Sequence, residues 1–355
     1  MNKGEQENLF WADLLRAVVV FGVILVHVAA DVITEWSTFP KSWWWAANIY
    51  DSLIRGPVPV FVMLSGALLL PKRESCKDFF RKRFNRIAIP SVAWIVLFLL
   101  WKKHFYKPDL GFAEALRWVA GDTVHFHLWF LYLIIGLYLV TPIFRILIAQ
   151  AKKRDIFYFL MLWFFVSSLL PFAEALGEMF THANVHIKIP VEPASGFIGY
   201  FVLGYFLNRY VTKKSIFNAW AVWIVGLAVC LFGTYFLSLH FHSFQMLLYG
   251  NMSPNVIFYT ASFFIVVKYA GPVLERHMNH GLKNLIVNLS KASFGIYLIH
   301  PMILDALGKG RWGFVLKADM SHPIYMIPLT AVVIYSLSFL AIFVIQKIPY
   351  LRKIA

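Results

Sequence analysis

LLRAVVVFGVILVHVAADV, residues 14 to 32, is an apolar run interrupted by Arg16 and His27. Charged and titratable side chains are costly in such a stretch and tend to be kept for function. On a helix, eleven steps make three turns plus roughly 20° and rise about 16 Å, so both side chains point the same way. Arg16 then lies near one end of a membrane-crossing helix and His27 deeper, on one face. Asp13, one turn before Arg16, is spaced to pair with the guanidinium and hold it while leaving donors for a ligand.

The rest of the chain repeats this pattern. Of the 355 residues, 60% are hydrophobic and only 14% charged, and the mean hydropathy is +0.66. A soluble domain of this size needs no such composition. Runs of about 17 to 25 apolar residues, each able to cross a roughly 30 Å hydrocarbon core, recur throughout. The expected fold is an all-α polytopic membrane protein of about ten spans, near 11–33, 51–70, 87–103, 125–147, 156–173, 196–211, 216–239, 254–270, 285–307 and 324–346. No linker or convincing repeat divides it, so residues 1–355 read as one integral domain.

Lysines and arginines orient the spans, since cytoplasmic loops carry their excess. The loop after the second span holds Lys72, Arg73, Lys77, Arg81, Lys82, Arg83 and Arg86; Lys152, Lys153 and Arg154 follow the fourth, and Arg209, Lys213 and Lys214 the sixth. The opposite loops hold only Lys41 in 34–50, Lys188 in 174–195 and none in 240–253. Both termini are expected in the cytoplasm. The exceptions are Lys102, Lys103, Lys107 and Arg117 in one outer loop and Lys309, Arg311 and Lys317 in another. The net charge of +15 is spread over these juxtamembrane loops, where anionic lipid is the natural partner and nucleic acid is not. Segments 111–120 and 308–318 mix Trp with charge and are expected as interfacial helices or re-entrant caps. Trp43, Trp44 and Trp45 read as an aromatic belt. Cys76 in the basic loop and Cys230 within the seventh span are too differently placed to form a disulfide.

Several short strings carry candidate chemistry. PVPVFVMLSGALLL, residues 57–70, opens on helix-breaking prolines and sets Ser65 and Gly66 where small residues permit close helix packing. No G-x-S-x-G elbow surrounds Ser65, so it reads as support and not as a nucleophile. FFRKRFNRIAIP, residues 79–90, gathers Arg81, Lys82, Arg83 and Arg86 at the entry of the third span, a cluster suited to phosphate or to ordinary positive-inside orientation. HFHLWFLYL, residues 125–133, brings His125, His127 and Trp129, while SFGIYLIHP, residues 293–301, brings Tyr297 and His300. No carboxylate or Cys joins these histidines with metal-ligand spacing, so no metal is expected. The H-x4-D string from His300 to Asp305 diverges by about 140° on a helix and is taken as chance.

Taken in order, Asp13 with Arg16-x10-His27, VPVFVMLSG, RKRFNRIAIP, HLWFLYLIIGLYLVTPIFR, GYFVLGYFL and SFGIYLIHP resemble the acyltransferase-3 family of cell-envelope membrane acyltransferases. The resemblance covers nearly the whole chain and is strongest to the short stand-alone O-acetyltransferases of the enterobacterial common antigen type. It implies transfer of an acyl group, usually acetyl, from cytoplasmic acyl-coenzyme A to a hydroxyl of an extracytoplasmic or lipid-linked glycan in a bacterial inner membrane. It matches Arg16 and His27 to the signature pair, and Arg83 and Arg86 to the donor-side basic motif. Ala67 departs from the family, which commonly has an aromatic there.

The residues fit that role. Imidazole titrates near about 6.5, which suits His27 to take a hydroxyl proton at physiological pH or to carry the acyl group transiently. Arg16, Arg81, Arg83 and Arg86 would hold acetyl-coenzyme A by its phosphates, and His127, Trp129, Tyr297 and His300 would orient the acceptor or meet the oxyanion. A competing class is a secondary transporter or exporter of an envelope glycan, with the polar face of the first span as its path. It lacks a mid-span acid, because Asp13, Asp31, Asp51 and Asp305 are expected near helix ends.

Overall fold

A computed structural model describes residues 9–181 and 196–354, and all regular structure among them is helical. Lys188 lies outside the described residues. The first half contains α1 (Phe10–Ile33), α2 (Lys41–Leu53), α3 (Pro57–Leu69), α4 (Cys76–Arg83), α5 (Ile89–Phe105), α6 (Phe112–Ala120), α7 (Trp129–Gln150), α8 (Lys153–Phe164) and α9 (Leu170–Thr181). After it come α10 (Ile198–Tyr210), α11 (Ile216–Ala228), α12 (Thr234–His240), α13 (Pro254–His277), α14 (His280–Gly308) and α15 (Pro323–Lys347). Single π-turns at Phe84–Ala88, Phe165–Leu169 and Val229–Gly233 join α4 to α5, α8 to α9 and α11 to α12 into continuous rods.

Among the described residues, eight segments are long and apolar enough to cross a membrane: α1, α2 with α3, α4 with α5, α7, α8 with α9, α11 with α12, Leu247–His277 and α15. A count of ten adds α10 and α14. α10 has 13 residues, about 20 Å against a core of about 30 Å, and is wedged between α3 and α8. α14 has 29 residues but carries the polar side chains of Ser290, Ser293 and His300, buried between α1 and α15. Trp94 in α5 donates to the Ile354 carbonyl at 2.7 Å, so the last described turn rests near the end of α5 that follows Arg86.

α1 is the hub and packs on α2, α3, α13, α14 and α15. α3 and α10 meet still more closely. A Cβ on Gly66 would lie 1.7 Å from the Phe201 carbonyl oxygen, and one on Gly204 1.9 Å from that of Met63. Small residues here let two backbones touch where no water is available to drive association, which is the packing role expected of Ser65-Gly66.

Three sequence expectations change. The second span begins at Lys41, not near residue 51, and the break falls at Ile54–Gly56 inside the rod. Trp44 is therefore no belt residue. It is fully buried and donates to the Ile33 carbonyl at 2.9 Å. Asp51 lies in the last turn of α2, a helix end as expected, and is 3% exposed. Of the two forms expected for these segments, the 112–120 stretch is helical, with no buried residue, while 308–318 is not helical beyond its first residue. Gly310 and Gly313 adopt φ of 66° and 86°, values that end a right-handed helix. Cys76 and Cys230 are both free.

Candidate active site

At the start of α1, Arg16 Nη1 reaches Asp13 Oδ1 at 3.1 Å. Ser290 of α14 donates to the same carboxylate oxygen at 2.6 Å and receives Arg16 Nη1 at 3.5 Å. The Arg16 side chain remains 32% exposed, and its Nε and Nη2 make no hydrogen bond among the described residues. Ser290 was not singled out in the sequence; its only signal is a hydroxyl in an apolar helix. Arg86 is exposed, and its charge acts on Arg16 and on Tyr138, which also lies in the fields of Arg16 and Arg83.

Three further cations at this end converge on Glu74. Lys82, Arg83 and Arg145 each approach it at 3.0 Å. The guanidiniums of Arg83 and Arg145 lie 4.5 and 4.6 Å from the Phe79 ring centroid, and Arg145 also donates to the Leu69 carbonyl at 2.9 and 2.8 Å. Arg83 is thus committed to the protein while Arg86 is not, although both belong to one sequence motif. Arg81 stands outside, 74% exposed and 3.7 Å from Asp78. Burial pushes the Glu74 carboxyl up, but hydrogen bonds from Lys82 and Arg145 and the charge of Arg83 outweigh it, leaving Glu74 below the usual glutamate range. Beside it opens a cleft of about 640 Å³ lined by Lys72, Arg73, Arg145, Arg209, Tyr205 and Tyr210, among others. Burial and then the charge of Arg83 hold the Lys72 ammonium below the usual lysine range.

Four histidines meet toward the other end of α1. His27 stacks on His300 with ring centroids 5.5 Å apart and 16° between planes. His300 meets His127 edge-on at 5.6 Å, and the Nδ1 atoms of His125 and His127 are 3.0 Å apart. Phe126 covers His27 at 4.8 Å. His27 keeps some accessible surface.

The His300-Pro301 dipeptide explains the orientation of this group. Pro301 has no N–H, so the Tyr297 carbonyl four residues earlier loses its helical donor. His300 Nδ1 takes that place at 2.7 Å. A carbonyl only accepts, so Nδ1 bears the hydrogen and Nε2 keeps the lone pair. That Nε2 is buried without a hydrogen-bond partner among the described residues, as is His127 Nε2. The Tyr297 hydroxyl donates to the His127 carbonyl at 2.5 Å and so secures the loop before α7. Buried polar atoms are seldom left unpaired, and each exception calls for an explanation such as a bound ligand.

Trp129 is not part of this cluster; its ring meets Phe130 and Phe197. Asp305 does not pair with His300. It accepts from Trp101 Nε1 at 3.0 Å, from the Tyr106 hydroxyl and from Arg311 Nε at 3.0 Å. With Lys107 on Glu114 at 2.5 Å and Lys317 on Asp319 at 2.9 Å, this pairing tempers several cations that ran against the loop-charge rule. Among the described residues, no group of three His, Cys, Asp or Glu is placed to hold a metal ion.

One further polar group was missed in the sequence. Arg55, in the α2–α3 break, pairs with Asp51 at 2.5 Å, with side-chain exposures of 10% and 4%. Its Nε donates to the Tyr249 carbonyl at 2.8 Å. Tyr249 in turn meets Ser52 Oγ at 2.7 Å and the Asn48 side-chain oxygen. The i, i+4 spacing of Asp51 and Arg55 was the available signal.

Residues 9–346 match the family model of an acyltransferase domain, acyltransferase 3. No curated protein and no solved structure matches the chain.

Proposed function

The chain belongs to the acyltransferase-3 family and is a multi-pass membrane acyltransferase; from that premise we propose that it moves an acetyl group from cytoplasmic acetyl-coenzyme A to a hydroxyl of an extracytoplasmic or lipid-linked glycan. The setting is a bacterial inner membrane, and the acceptor resembles that of the stand-alone enzymes of the enterobacterial common antigen type. The observation that carries this reading is the pair of partnerless imidazole nitrogens beside His27, on the helix that also carries Arg16.

Arg16, its position set by Asp13 and Ser290, and Arg86 take the donor phosphates, with Arg81 at the rim. Arg83 acts through Glu74 and Phe79 and holds the loop that presents them. The pantetheine arm runs along α1 for about 16 Å, the rise between Arg16 and His27. His27 accepts the acceptor hydroxyl's proton, or carries the acyl group transiently; both demand the same residue in the same place. His300 Nε2 receives a hydrogen bond from the acceptor and orients it, and His127 completes the pocket.

Purified protein in nanodiscs supplied with labelled acetyl-coenzyme A tests this reading. Release of free coenzyme A above that of empty nanodiscs, by transfer or slow hydrolysis, is the expected result. An exporter would consume no thioester.

A further inference from the structure

The cleft beside Glu74 stands apart from the donor route, since none of Arg16, Arg81, Arg83 and Arg86 lines it. We propose that it binds the headgroup of an anionic phospholipid, with the upper part of an acyl chain lying along α7. The leaflet is the one that the loop charges assign to the cytoplasm. The proposal goes beyond acyl transfer and needs only that the chain spans a membrane.

The lining carries Lys72, Arg73, Arg145 and Arg209 against one carboxylate, Glu74. That carboxylate is already shared by Lys82, Arg83 and Arg145 at 3.0 Å each. The side chains of Lys72, Arg73 and Arg209 make no hydrogen bond or ion pair among the described residues. Arg145 Nη1 makes no hydrogen bond there either, although Nε and Nη2 are fixed on the Leu69 carbonyl and Glu74. Positive-inside orientation accounts for cations along one loop. It does not account for cations that meet around one volume from three elements: Lys72 and Arg73 follow α3, Arg145 lies on α7 and Arg209 in the last turn of α10. Basic pockets between membrane helices at this face suit phosphate headgroups, which guanidinium and ammonium bind by charge-assisted hydrogen bonds. At about 640 Å³ the cleft falls within the roughly 300 to 1,000 Å³ of small-molecule sites.

The apolar wall selects a lipid over a soluble phosphate. Pro142, Arg145, Ile146 and Ala149 recur at i, i+3, i+4 and i+7 and so share one stripe of α7. Ile146 lines the cleft and, with its neighbours Ile143 and Leu147, is exposed. On a helix long and apolar enough to cross a membrane, such a surface meets lipid tails. Across the cleft stand Tyr205 and Tyr210 of α10, and tyrosine is enriched at headgroup depth, where its amphipathic ring fits. Cations, phenols and hydrocarbon-facing side chains thus line one cleft, the set that a phospholipid fills from phosphate to acyl chain. A soluble nucleotide would match the cations and leave the apolar wall uncovered.

Occupancy has a consequence for the neighbouring loop. Glu74 lines the cleft and also holds Lys82 and Arg83, so a headgroup on Lys72 and Arg73 braces the 70–74 turn to which those cations are tied. A ligand that binds only the folded protein raises its thermal midpoint by mass action.

The test titrates the full chain, purified in a neutral detergent, with phosphatidylglycerol or phosphatidylcholine in mixed micelles while the thermal midpoint is read. Phosphatidylglycerol should raise the midpoint and phosphatidylcholine should not. Lys72 and Arg209 are exposed, so Lys72→Gln/Arg209→Gln should keep a lipid-free midpoint near wild type. Its apparent Kd for phosphatidylglycerol should rise about 30-fold, the worth of two cations at a membrane surface. Lys213→Gln/Lys214→Gln removes as much charge just after α10, outside the cleft, and should leave that Kd nearly unchanged. A wild-type Kd in the first double variant, or an equal loss in both, overturns the site. A Kd that rises when coenzyme A is added, or a midpoint shift reproduced by soluble glycerol phosphate, gives the cleft to a water-soluble phosphate and also overturns it.

Discussion

At the Arg16 end of α1, Lys82, Arg83 and Arg145 share one carboxylate at 3.0 Å each and Arg16 has its own at 3.1 Å; toward the His27 end, two imidazole nitrogens are buried with no hydrogen-bond partner among the described residues. The first region is well supplied with charged partners. Its cations outnumber its carboxylates, so removing one should weaken binding by degrees. The second is left incomplete by the fold, and a missing group there has no substitute. The physical difference is that a charge near the membrane boundary can borrow water or a neighbour, whereas a polar atom inside the bundle stays unpaired at a cost until a partner reaches it.

Each substitution below presses on that contrast. The largest effect belongs to His27→Ala, expected to lower kcat by about 10²- to 10⁴-fold while isothermal titration still detects coenzyme A binding. Retained transfer would remove His27 from the chemistry. Arg16→Ala should raise the donor KM by about tenfold, the worth of a charge-assisted hydrogen bond at a partly exposed site, with little change in kcat; unchanged donor affinity would dissociate the cytoplasmic end from phosphate binding. Pro301→Ala returns an N–H to the Tyr297 carbonyl and competes with His300 for it. It should cost about fivefold in kcat, one ordinary hydrogen bond, and an unaltered rate would mean that the His300 tautomer is immaterial.

The smallest effect concerns stability. A carboxyl whose folded value is depressed contributes stability that is fully present above its unfolded value and is lost as pH falls through the folded one. Glu74 is such a group. The thermal midpoint should therefore drop as pH is lowered below the ordinary glutamate range near about 4.3. Glu74→Gln should blunt that drop and lower the midpoint slightly at neutral pH, and a variant melting with the wild-type pH dependence would show that the Glu74 knot stabilises nothing.

The spans were legible because hydrocarbon thickness imposes their length on the sequence, and the Arg16–His27 spacing placed both residues on one helix. The start of the second span was obscured by its own polarity. Lys41, Ser42, Asn48, Asp51 and Ser52 interrupt the apolar pattern, yet Asn48, Asp51 and Ser52 are buried and hydrogen-bonded, so a segment that reads as loop is membrane-embedded helix. Arg83 and Arg86 looked equivalent, three residues apart in one basic string. What separates them is Glu74, and its link to Arg145 spans 71 positions, a pairing that no local pattern announces. His300-Pro301 carried its orientation in two adjacent residues; the approach of His300 to His27 depends on how α14 packs on α1, which composition does not specify.

The division of labour along α1 is tested most directly by single-turnover transfer from labelled acetyl-coenzyme A in Arg16→Ala and His27→Ala at rising donor concentration. The account predicts that saturating donor restores Arg16→Ala to near the wild-type rate and leaves His27→Ala at least about 10²-fold slower. Recovery of His27→Ala with donor concentration, or a rate defect in Arg16→Ala that saturation does not relieve, would contradict it.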